Sequence, residues 1–433
     1  MQLLRIVTIG NVDDGKSTFI GRLLYDSHAI LSDTLAELEL ASPSQQQKLS
    51  TPFNLALLTD GLKAERAQGI TIDVAYRFFT ARLSQASQLS QVKERKFIII
   101  DAPGHAKYTK NMVTGASQAE VALLLVDVTK ELNEQTLRHL QIIQLMGLRQ
   151  LVVCINKMDL VQYSQSHFEN LKQKIIKLLN TEIKTSVSFF PISAVLGDNI
   201  TSLSQNTPWY QGPCVLDFLV EIEASSLAKS SERAFCLPVQ GLITAQDGEP
   251  LYCGSLIGGS VQVQDEVLIF PSQVAAKIKS IETYDGSLLT APAGKAVALK
   301  LDLTLDKSLD NKSLDKSIAI KRGDYIVAKR AGLNSAMLNL HIRQGRRAEA
   351  DIIWLGEEKL QPQQQFLLRK NTFECRCKIT ENFLPANEIG RVIIYAEQEL
   401  VYQAFSEDKD MGAAILIDEK TNLTVAAVMF RGI

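Results

Sequence analysis

The sequence has few cysteines, almost no net charge and no long apolar run, and each absence argues against a class of protein. Six cysteines are scattered over 433 residues, so a disulfide framework is not expected and the reducing cytoplasm is the expected compartment. Lys and Arg number 46 against 48 Asp and Glu, a net charge of −2, so no nucleic-acid partner is expected. The apolar stretch Leu3–Ile9 contains Arg5 and Thr8 and is too short for a signal peptide or a membrane span. We therefore expect a cytoplasmic protein without a membrane partner.

The composition, length and pattern of apolar runs indicate a folded chain with more than one domain. Hydrophobic residues make up 46% and charged residues 22%, an ordinary globular composition. A chain of 433 residues is too long for one hydrophobic core. The first half alternates apolar runs with helical patterns, and the second half has short β-rich runs broken by Gly, Pro and Asp. The pattern predicts an α/β domain with a mainly parallel sheet and helices on both faces, followed by two antiparallel β-barrel domains.

The predicted domains are residues 1–224, 235–331 and 336–433, with a linker at 225–232. In the first domain we predict strands at residues 4–9, 97–100, 121–126, 151–155 and 187–192, and helices at 17–24, 135–146 and 168–179. In the second half we predict strands at 237–243, 260–270, 275–283, 296–301, 350–355, 373–379, 391–395, 413–417 and 424–430. Residues 306–316 repeat Lys-Ser-Leu-Asp and are interpreted as an exposed loop insertion.

A phosphate-binding pattern joins the first predicted strand to the first predicted helix. Gly10 and Gly15 enclose four residues and are followed by Lys16 and Ser17, which fits a phosphate loop in the required context. The glycines let backbone N–H groups surround phosphate oxygens at a helix N-terminus. Lys16 is expected to neutralise the β- and γ-phosphates, and Ser17 to bind Mg²⁺. The predicted nucleotide-binding residues of this loop are Gly10, Asn11, Val12, Asp13, Asp14, Gly15, Lys16, Ser17 and Thr18.

Two later segments fit the switch regions of a nucleotide hydrolase. Thr71, two residues after Gly69, is predicted to contact Mg²⁺ through its hydroxyl and the γ-phosphate through its N–H. Taken alone, residues 70–72 are simply a strand fragment. The second segment follows a predicted strand and comprises Asp101, Ala102, Pro103, Gly104 and His105. There Asp101 suits an indirect Mg²⁺ contact, Gly104 a γ-phosphate contact, and His105 the orientation of the attacking water.

Two further motifs indicate that the base is guanine. Asn156, Lys157, Met158 and Asp159 follow a predicted strand. Asp159 is expected to accept from guanine N1–H and from the exocyclic amine together, which favours GTP over ATP because adenine lacks this donor pair. The backbone of Ser193 and Ala194 is expected to donate to guanine O6. The five elements in this order predict a GTP site with Mg²⁺, in which Lys16, Thr71 and His105 are the catalytic residues.

On these motifs the sequence resembles the translation-factor class of GTP-binding proteins. Within that class it is similar to the family of large, GTPase subunits of bacterial sulfate adenylyltransferases. The residues that carry the likeness are Asp13, Asp14 and residues 20–27, 68–77, 197–199, 209–213 and 421–425. Three features depart from the family pattern: Ala102 replaces the usual Thr, residues 425–427 lack glycine, and the 306–316 repeat is foreign to it. The resemblance is strong up to about residue 216 and weaker beyond.

The resemblance implies a specific activity and a specific partner. Two subunits would make adenosine 5′-phosphosulfate and pyrophosphate from ATP and sulfate, with GTP hydrolysis on this chain driving the uphill reaction. A small subunit of the PP-loop class would carry adenylyl transfer, in agreement with the single phosphate loop of this chain and its lack of a Ser-Gly-Gly-x-Asp-Ser loop.

A different reading of the sequence is an elongation-factor-like carrier of aminoacyl-tRNA, and the fold alone does not separate the two. The Asp13-Asp14 pair, the 73–76 extension and the lack of positive charge favour the sulfate enzyme. Arg343, Arg346 and Arg347 are the best candidates for an RNA-binding patch, but we expect them to form a solvated loop or a subunit contact. A standalone regulatory GTPase is disfavoured because two β-domains suit a macromolecular partner.

Overall fold

The chain divides into two compact units, Met1–Ala224 and Ser225–Ile433. The computed structural model describes residues 3–30, 55, 73–82, 94–105, 108–179, 185–222, 234–245, 247–303, 320–329, 342–379 and 384–432. Thr71 and Gly69, the predicted linker and the 306–316 repeat lie outside these residues. The predicted division of residues 235–433 into two domains stays a prediction.

The first unit is built on a six-stranded sheet. Its strands are Leu3–Ile9 (β1), Ala75–Arg82 (β2), Glu94–Asp101 (β3), Val121–Asp127 (β4), Gln150–Asn156 (β5) and Ser186–Pro191 (β6). The order across the sheet is β2-β3-β1-β4-β5-β6, and only the β2–β3 pair is antiparallel. All seven residues of β4 are buried, as expected when a parallel strand is covered on both faces. The predicted, mainly parallel sheet is therefore confirmed.

Five helices accompany this sheet in the described part of the unit. They are Lys16–Asp26 (α1), Thr109–Gln118 (α2), Glu134–Leu145 (α3), Gln165–Leu178 (α4) and Val215–Glu221 (α5). The three predicted helices are confirmed as α1, α3 and α4, with boundaries shifted by one to three residues. Helix α3 is capped at its N-terminus, where the Asn133 side chain accepts a hydrogen bond from the Thr136 N–H at 3.0 Å. No described helix is long and apolar enough to span a bilayer.

Part of the second unit is an eight-stranded antiparallel sheet. Its strands are Cys236–Pro238 (β7), Gly241–Thr244 (β8), Pro250–Ser255 (β9), Glu266–Phe270 (β11), Val274–Thr283 (β12), Gly286–Leu288 (β13), Ala296–Asp302 (β15) and Tyr325–Ala328 (β16). Two more strands, Ser260–Gln262 (β10) and Thr290–Pro292 (β14), pair with each other in a separate two-stranded sheet. The predicted strand 260–270 is two strands, because the Asp265 carboxylate accepts from the Gln262 N–H at 2.7 Å and closes a turn there. The order of the larger sheet is β7-β16-β11-β12-β15-β9-β8, with β13 on β12.

The remaining strands of this unit form a closed antiparallel barrel. They are Arg343–Trp354 (β17), Gln365–Lys370 (β18), Phe373–Ile379 (β19), Ile389–Tyr402 (β20), Ala413–Ile417 (β21) and Thr424–Phe430 (β22), closed in the order β17-β20-β19-β18-β21-β22. A one-turn helix, Lys409–Gly412 (α6), precedes β21. Cys375 and Cys377, two residues apart in β19, both lie in the barrel core. Of the two expectations for the arginines, the loop is wrong, since Arg343 begins β17 and a bulge between Gly345 and Arg347 interrupts its pairing with β20. The subunit contact stays a prediction.

A buried lysine links the barrel to the eight-stranded sheet. Lys370 ends β18, is 1% exposed, and donates through Nζ to the Tyr325 hydroxyl of β16 at 2.7 Å. Two residues further on, the Thr372 hydroxyl donates to the Val239 carbonyl at 2.8 Å. Burial lowers the pKa of Lys370 to about 8. The β18–β19 turn is therefore fixed by polar contacts to the neighbouring sheet.

Candidate functional site

The loop between β1 and α1 has the geometry of a phosphate cradle. Gly15 occupies the N-cap position of α1 in the left-handed region, with φ +92° and no side chain capping the helix. An added Cβ at Gly15 would collide with Asn156 Nδ2, so a larger residue fits neither the backbone nor the space. The uncapped N–H groups at the start of α1 are suited to an anion.

Lys16 begins α1, and its ammonium group lies against this loop. Its side chain is 7% exposed, and Nζ donates to the carbonyls of Gly10 at 2.8 Å and Asn11 at 2.9 Å. Burial lowers the pKa of the Lys16 ammonium, and the carboxylates of Asp101 and Asp14 act against that shift. The loop thus holds a cation where the sequence predicts the phosphates.

The two aspartates of the loop play different parts. Asp14 is 2% exposed, and its Oδ2 accepts from the Asn11 N–H at 2.8 Å. This hydrogen bond stabilises the turn at residues 11–14 of the phosphate loop. Burial raises the pKa of Asp14. Asp13 is exposed and takes φ +68°. The side chain of Asp14 therefore shapes the loop, and its predicted contact with the nucleotide stays a prediction.

The Asp101–His105 segment leaves the end of β3 and packs on the phosphate loop. Asp101 is 2% exposed, and its Oδ1 accepts from the Thr8 hydroxyl at 3.2 Å. An added Cβ at Gly104 would collide with the Gly10 carbonyl and with Lys16 Nζ, so the absence of a side chain brings the two loops together. Ala102 and Pro103 are buried, whereas His105 is exposed.

Asn156 joins two more of the predicted motifs to the phosphate loop. It is 2% exposed, its Nδ2 donates to the Asp14 carbonyl at 2.8 Å, and its Oδ1 accepts from the Ala194 N–H at 2.9 Å. One side chain therefore ties β5, the phosphate loop and the loop after β6. Because the Ala194 N–H is engaged with Asn156, its predicted contact with guanine O6 stays a prediction.

Lys157 and Asp159 follow at the end of β5. Lys157 Nζ lies 2.7 Å from an Asp127 carboxylate oxygen at the end of the neighbouring β4. Burial acts to raise the pKa of Asp127, but hydrogen bonds from Lys157 and Thr129 outweigh it and the pKa is lowered. Asp159 lies half-buried in a 3₁₀ turn, Met158–Val161, anchored by the Met158 N–H to the Ile192 carbonyl at 3.2 Å.

Sequence reasoning missed the residues that support the loop after β6. Asn199 is fully buried, and its Nδ2 donates to the Pro191 carbonyl at 2.7 Å and to the Thr207 hydroxyl at 2.9 Å. The signal was available, because residues 197–199 carry part of the family resemblance, but the pattern alone did not say what Asn199 holds. Ser193, which the sequence did single out, is also fully buried.

The donor set near Lys16 suits a magnesium ion. Ser17 offers a hydroxyl and Asp101 a buried carboxylate, both hard oxygen ligands of the kind that Mg²⁺ prefers. Within the described residues no group of three or more His, Cys, Asp or Glu side chains could hold a metal. A site with few protein ligands is what Mg²⁺ uses when substrate phosphates and waters complete its shell.

Comparison with known proteins identifies the family. The Elongation factor Tu GTP binding domain matches residues 1–224. Sulfate adenylyltransferase subunit 1 of Teredinibacter turnerae is 38% identical over an alignment covering 99% of this chain and 87% of that protein. The corresponding subunit of Erwinia tasmaniensis is 39% identical, with 99% and 86% covered. The chain belongs to the sulfate adenylyltransferase subunit 1 family.

Membership of the sulfate adenylyltransferase subunit 1 family confirms the resemblance drawn from the motifs. The first unit is a GTP-binding domain, and the chain is a GTPase subunit of an enzyme. One similar solved structure is the GTPase-like domain of S. cerevisiae Ski7 bound to GTP. The superposition covers 99% of this chain and 97% of the Ski7 chain, with a TM-score of 0.50. Its identity is 18%, so this likeness supports the fold, which is that of translation-factor-like GTPases.

Proposed function

We propose that this chain hydrolyses GTP to drive the formation of adenosine 5′-phosphosulfate and pyrophosphate from ATP and sulfate. The observation that carries the proposal is that Gly104 and Asn156, from two other loops, both lie against the phosphate loop that precedes Lys16, in a chain whose relatives are named sulfate adenylyltransferase subunit 1. Adenylyl transfer is assigned to a separate small subunit of the PP-loop class, because this sequence has one Gly-x-x-x-x-Gly-Lys-Ser loop for one nucleotide. We place the reaction in the cytoplasm and assign no nucleic acid or membrane partner to it.

Binding of GTP would use the phosphate loop and the ends of β5 and β6. The N–H groups between Gly10 and Thr18 would donate to the phosphates, and the Lys16 ammonium would leave the Gly10 and Asn11 carbonyls for the β- and γ-phosphates. Asp159 would accept from the two guanine donors. Asn156 would hold the phosphate and base ends at a fixed separation, because it contacts both loops.

Hydrolysis would depend on the loop that packs against Lys16. Gly104 lies against the phosphate loop, so its N–H would sense the γ-phosphate, and the adjacent His105, which is exposed, would orient a water. Ser17, Asp101 and Thr71 would hold Mg²⁺, which supplies charge neutralisation at the phosphate oxygens. A role in orienting water acts on the transition state, so His105 would contribute to the rate more than to binding.

Coupling to sulfate activation requires that the two subunits interact differently in the GTP and GDP states. A ligand shifts such an equilibrium only by its difference in affinity for the two states. Thr71 and Gly104 are the proposed sensors of the γ-phosphate, so the segments that carry them would transmit the difference to the small subunit.

The test is an assay of radiolabelled sulfate incorporation with each subunit alone and with both mixed. The chain alone should bind and slowly hydrolyse GTP and make no adenosine 5′-phosphosulfate, whereas the mixture with ATP should accelerate hydrolysis and form product. A mixture with the Lys16→Ala chain is the matched control and should lose the GTP-dependent yield. Product from this chain alone, or a mixed yield that ignores GTP, would refute the proposal.

A further inference from the structure

We propose that Tyr163, Asp198 and Trp209 are positioning residues for guanine selectivity. They connect the turn that carries Asp159 to the loop that carries Ser193 and Ala194, so that both sides of the base site keep a fixed separation. The inference rests on the proposed GTP site and names residues outside the five nucleotide-binding motifs.

The turn that carries Asp159 has a backbone that needs external support. Three non-glycine residues bracket it in the left-handed region: Lys157 at φ +64°, Gln162 at φ +53° and Tyr163 at φ +54°. L-residues disfavour this region, and they persist in it where surrounding contacts over-determine the conformation. Two of the three are consecutive and lie directly after the 3₁₀ turn Met158–Val161. Contacts to Tyr163 are therefore contacts that maintain the turn.

Tyr163 is held at three points. Its hydroxyl donates to Asp198 Oδ2 at 2.6 Å, its carbonyl accepts from Trp209 Nε1 at 2.9 Å, and its N–H donates to the Met158 carbonyl at 2.8 Å. Burial and the bond to Asp198 raise the pKa of the Tyr163 phenol, so the hydroxyl remains a donor at neutral pH. Trp209 is itself fixed, with its ring 5.3 Å from the ring of Phe168, which is 3% exposed.

Asp198 belongs to the loop on the opposite side of the base site. Its carbonyl accepts from the Ser193 N–H at 3.4 Å, and the adjacent Gly197 N–H donates back to the Ser193 carbonyl at 2.7 Å. Its second carboxylate oxygen, Oδ1, accepts from the Ser204 hydroxyl and from Asn206 Nδ2. Both oxygens of Asp198 are thus engaged, and the Tyr163–Asp198 bond joins two loops that are 35 residues apart in the chain.

The consequence is specific to base recognition. Asp159 must place two carboxylate oxygens on two guanine donors at once, which demands an accurate position of the turn. The phosphate contacts belong to a different loop and do not depend on Tyr163. Relaxation of the turn should therefore weaken binding of guanine more than binding of a base that offers Asp159 fewer donors.

Tyr163→Phe tests this, because it removes the hydroxyl and keeps the ring. The measurement is the dissociation constant of the full chain for GDP and for IDP, whose base lacks the exocyclic amine, together with the melting temperature of each variant. We expect the GDP affinity to fall about tenfold and the IDP affinity about twofold, so that the ratio of the two constants changes about fivefold. If the substitution only destabilised the fold, the affinities for GDP and IDP would fall by the same factor and their ratio would stay unchanged.

Tyr210→Phe is the matched control, since the Tyr210 hydroxyl donates to the Pro213 carbonyl at 3.0 Å within the same segment but does not contact Asp198. It should keep the parent ratio. An unchanged ratio in Tyr163→Phe, or an equal change in Tyr210→Phe, would overturn the inference. If the parent chain showed no preference for GDP over ADP, the GTP site itself would fail; if it showed the preference and Tyr163→Phe kept the ratio, the inference alone would fail.

Discussion

Replacing Asn156 by alanine should weaken nucleotide binding as well as lower the stability of the first unit. The substitution leaves two buried backbone groups, the Asp14 carbonyl and the Ala194 N–H, without their present partner. Each unsatisfied buried group costs about 1–3 kcal/mol, so the free energy of unfolding of the first unit should fall by about 2–6 kcal/mol. The same substitution disconnects the phosphate loop from the loop after β6, and GTP affinity should fall at least about tenfold.

The assay uses the two tryptophans, Trp209 in the first unit and Trp354 in the second. In a Trp354→Phe background, denaturant unfolding followed by Trp209 fluorescence reports the first unit alone. Titration with GTP and GDP gives the affinities of the same proteins in the absence of denaturant. The two readouts separate lost stability from a disordered site.

Asn199→Ala is the control for this prediction. Asn199 is also a buried asparagine of the first unit with side-chain hydrogen bonds to Pro191, Thr207 and Ser204, but it makes no hydrogen bond to the phosphate loop. It should lose a similar free energy of unfolding and keep GTP affinity within about threefold of the parent. If Asn156→Ala kept the parent affinity, or if both variants lost affinity equally, the assignment of Asn156 as the tie between the two loops would be refuted.

Three further substitutions test the remaining assignments. Lys16→Ala should weaken GTP binding by at least about tenfold, since a charge-assisted contact contributes about 1.5–3 kcal/mol, and equal affinity by equilibrium titration would contradict the phosphate-loop assignment. His105→Ala should bind GTP normally but hydrolyse it slowly, because orienting the water acts on the transition state and not on ground-state binding; a parental single-turnover rate with the small subunit present would remove His105 from the mechanism. Between about pH 8 and pH 10.5 the stability of the second unit should rise in the parent relative to Lys370→Met, because the Lys370 pKa of about 8 lies below its ordinary value of 10.5 and the burial cost is relieved as the folded state loses its proton. The difference in free energy of unfolding between the two chains should grow by about 3 kcal/mol, measured by denaturant unfolding at several pH values. The buried Cys236 and Cys377, whose pKa values burial raises, contribute equally to both chains, so a difference that stays constant with pH would contradict the shift.

Much of the first unit follows from its sequence because its signals are local. The alternation of apolar strands and amphipathic helices predicted five strands and three helices, and the motifs predicted that Gly10, Lys16 and Asn156 belong to one nucleotide site. β2 was missed because it is an antiparallel edge strand with half of its residues exposed. Its burial depends on β3, to which it pairs, and this is a tertiary property that the local pattern does not carry.

The features that the sequence did not predict depend on contacts between residues far apart in the chain. The Tyr163–Asp198 and Asn199–Pro191 bonds connect loops whose proximity is fixed only when the sheet has formed. In the barrel, the strands of residues 373–379, 413–417 and 424–430 were predicted with their observed boundaries, but the closing order was not. Strand order in an antiparallel barrel is set by pairing across the whole domain. The arginine-rich start of β17 was expected to be a solvated loop or a subunit contact, and the strand was missed because its charged residues mask the strand pattern.

We propose that GTP hydrolysis on this chain drives sulfate activation by a small subunit, and an exchange of the driving nucleotide tests this proposal most directly. Asp159→Asn should switch the preference of the site from guanine toward xanthine nucleotides, because the carboxamide no longer accepts from both guanine donors and donates to the xanthine carbonyl. The measurement is radiolabelled adenosine 5′-phosphosulfate formed by the small subunit with ATP, sulfate and this variant, driven by either GTP or XTP. The account predicts that product follows XTP with the variant and GTP with the parent chain. Undiminished product with GTP from the variant, or a yield equal for the two nucleotides, would contradict it.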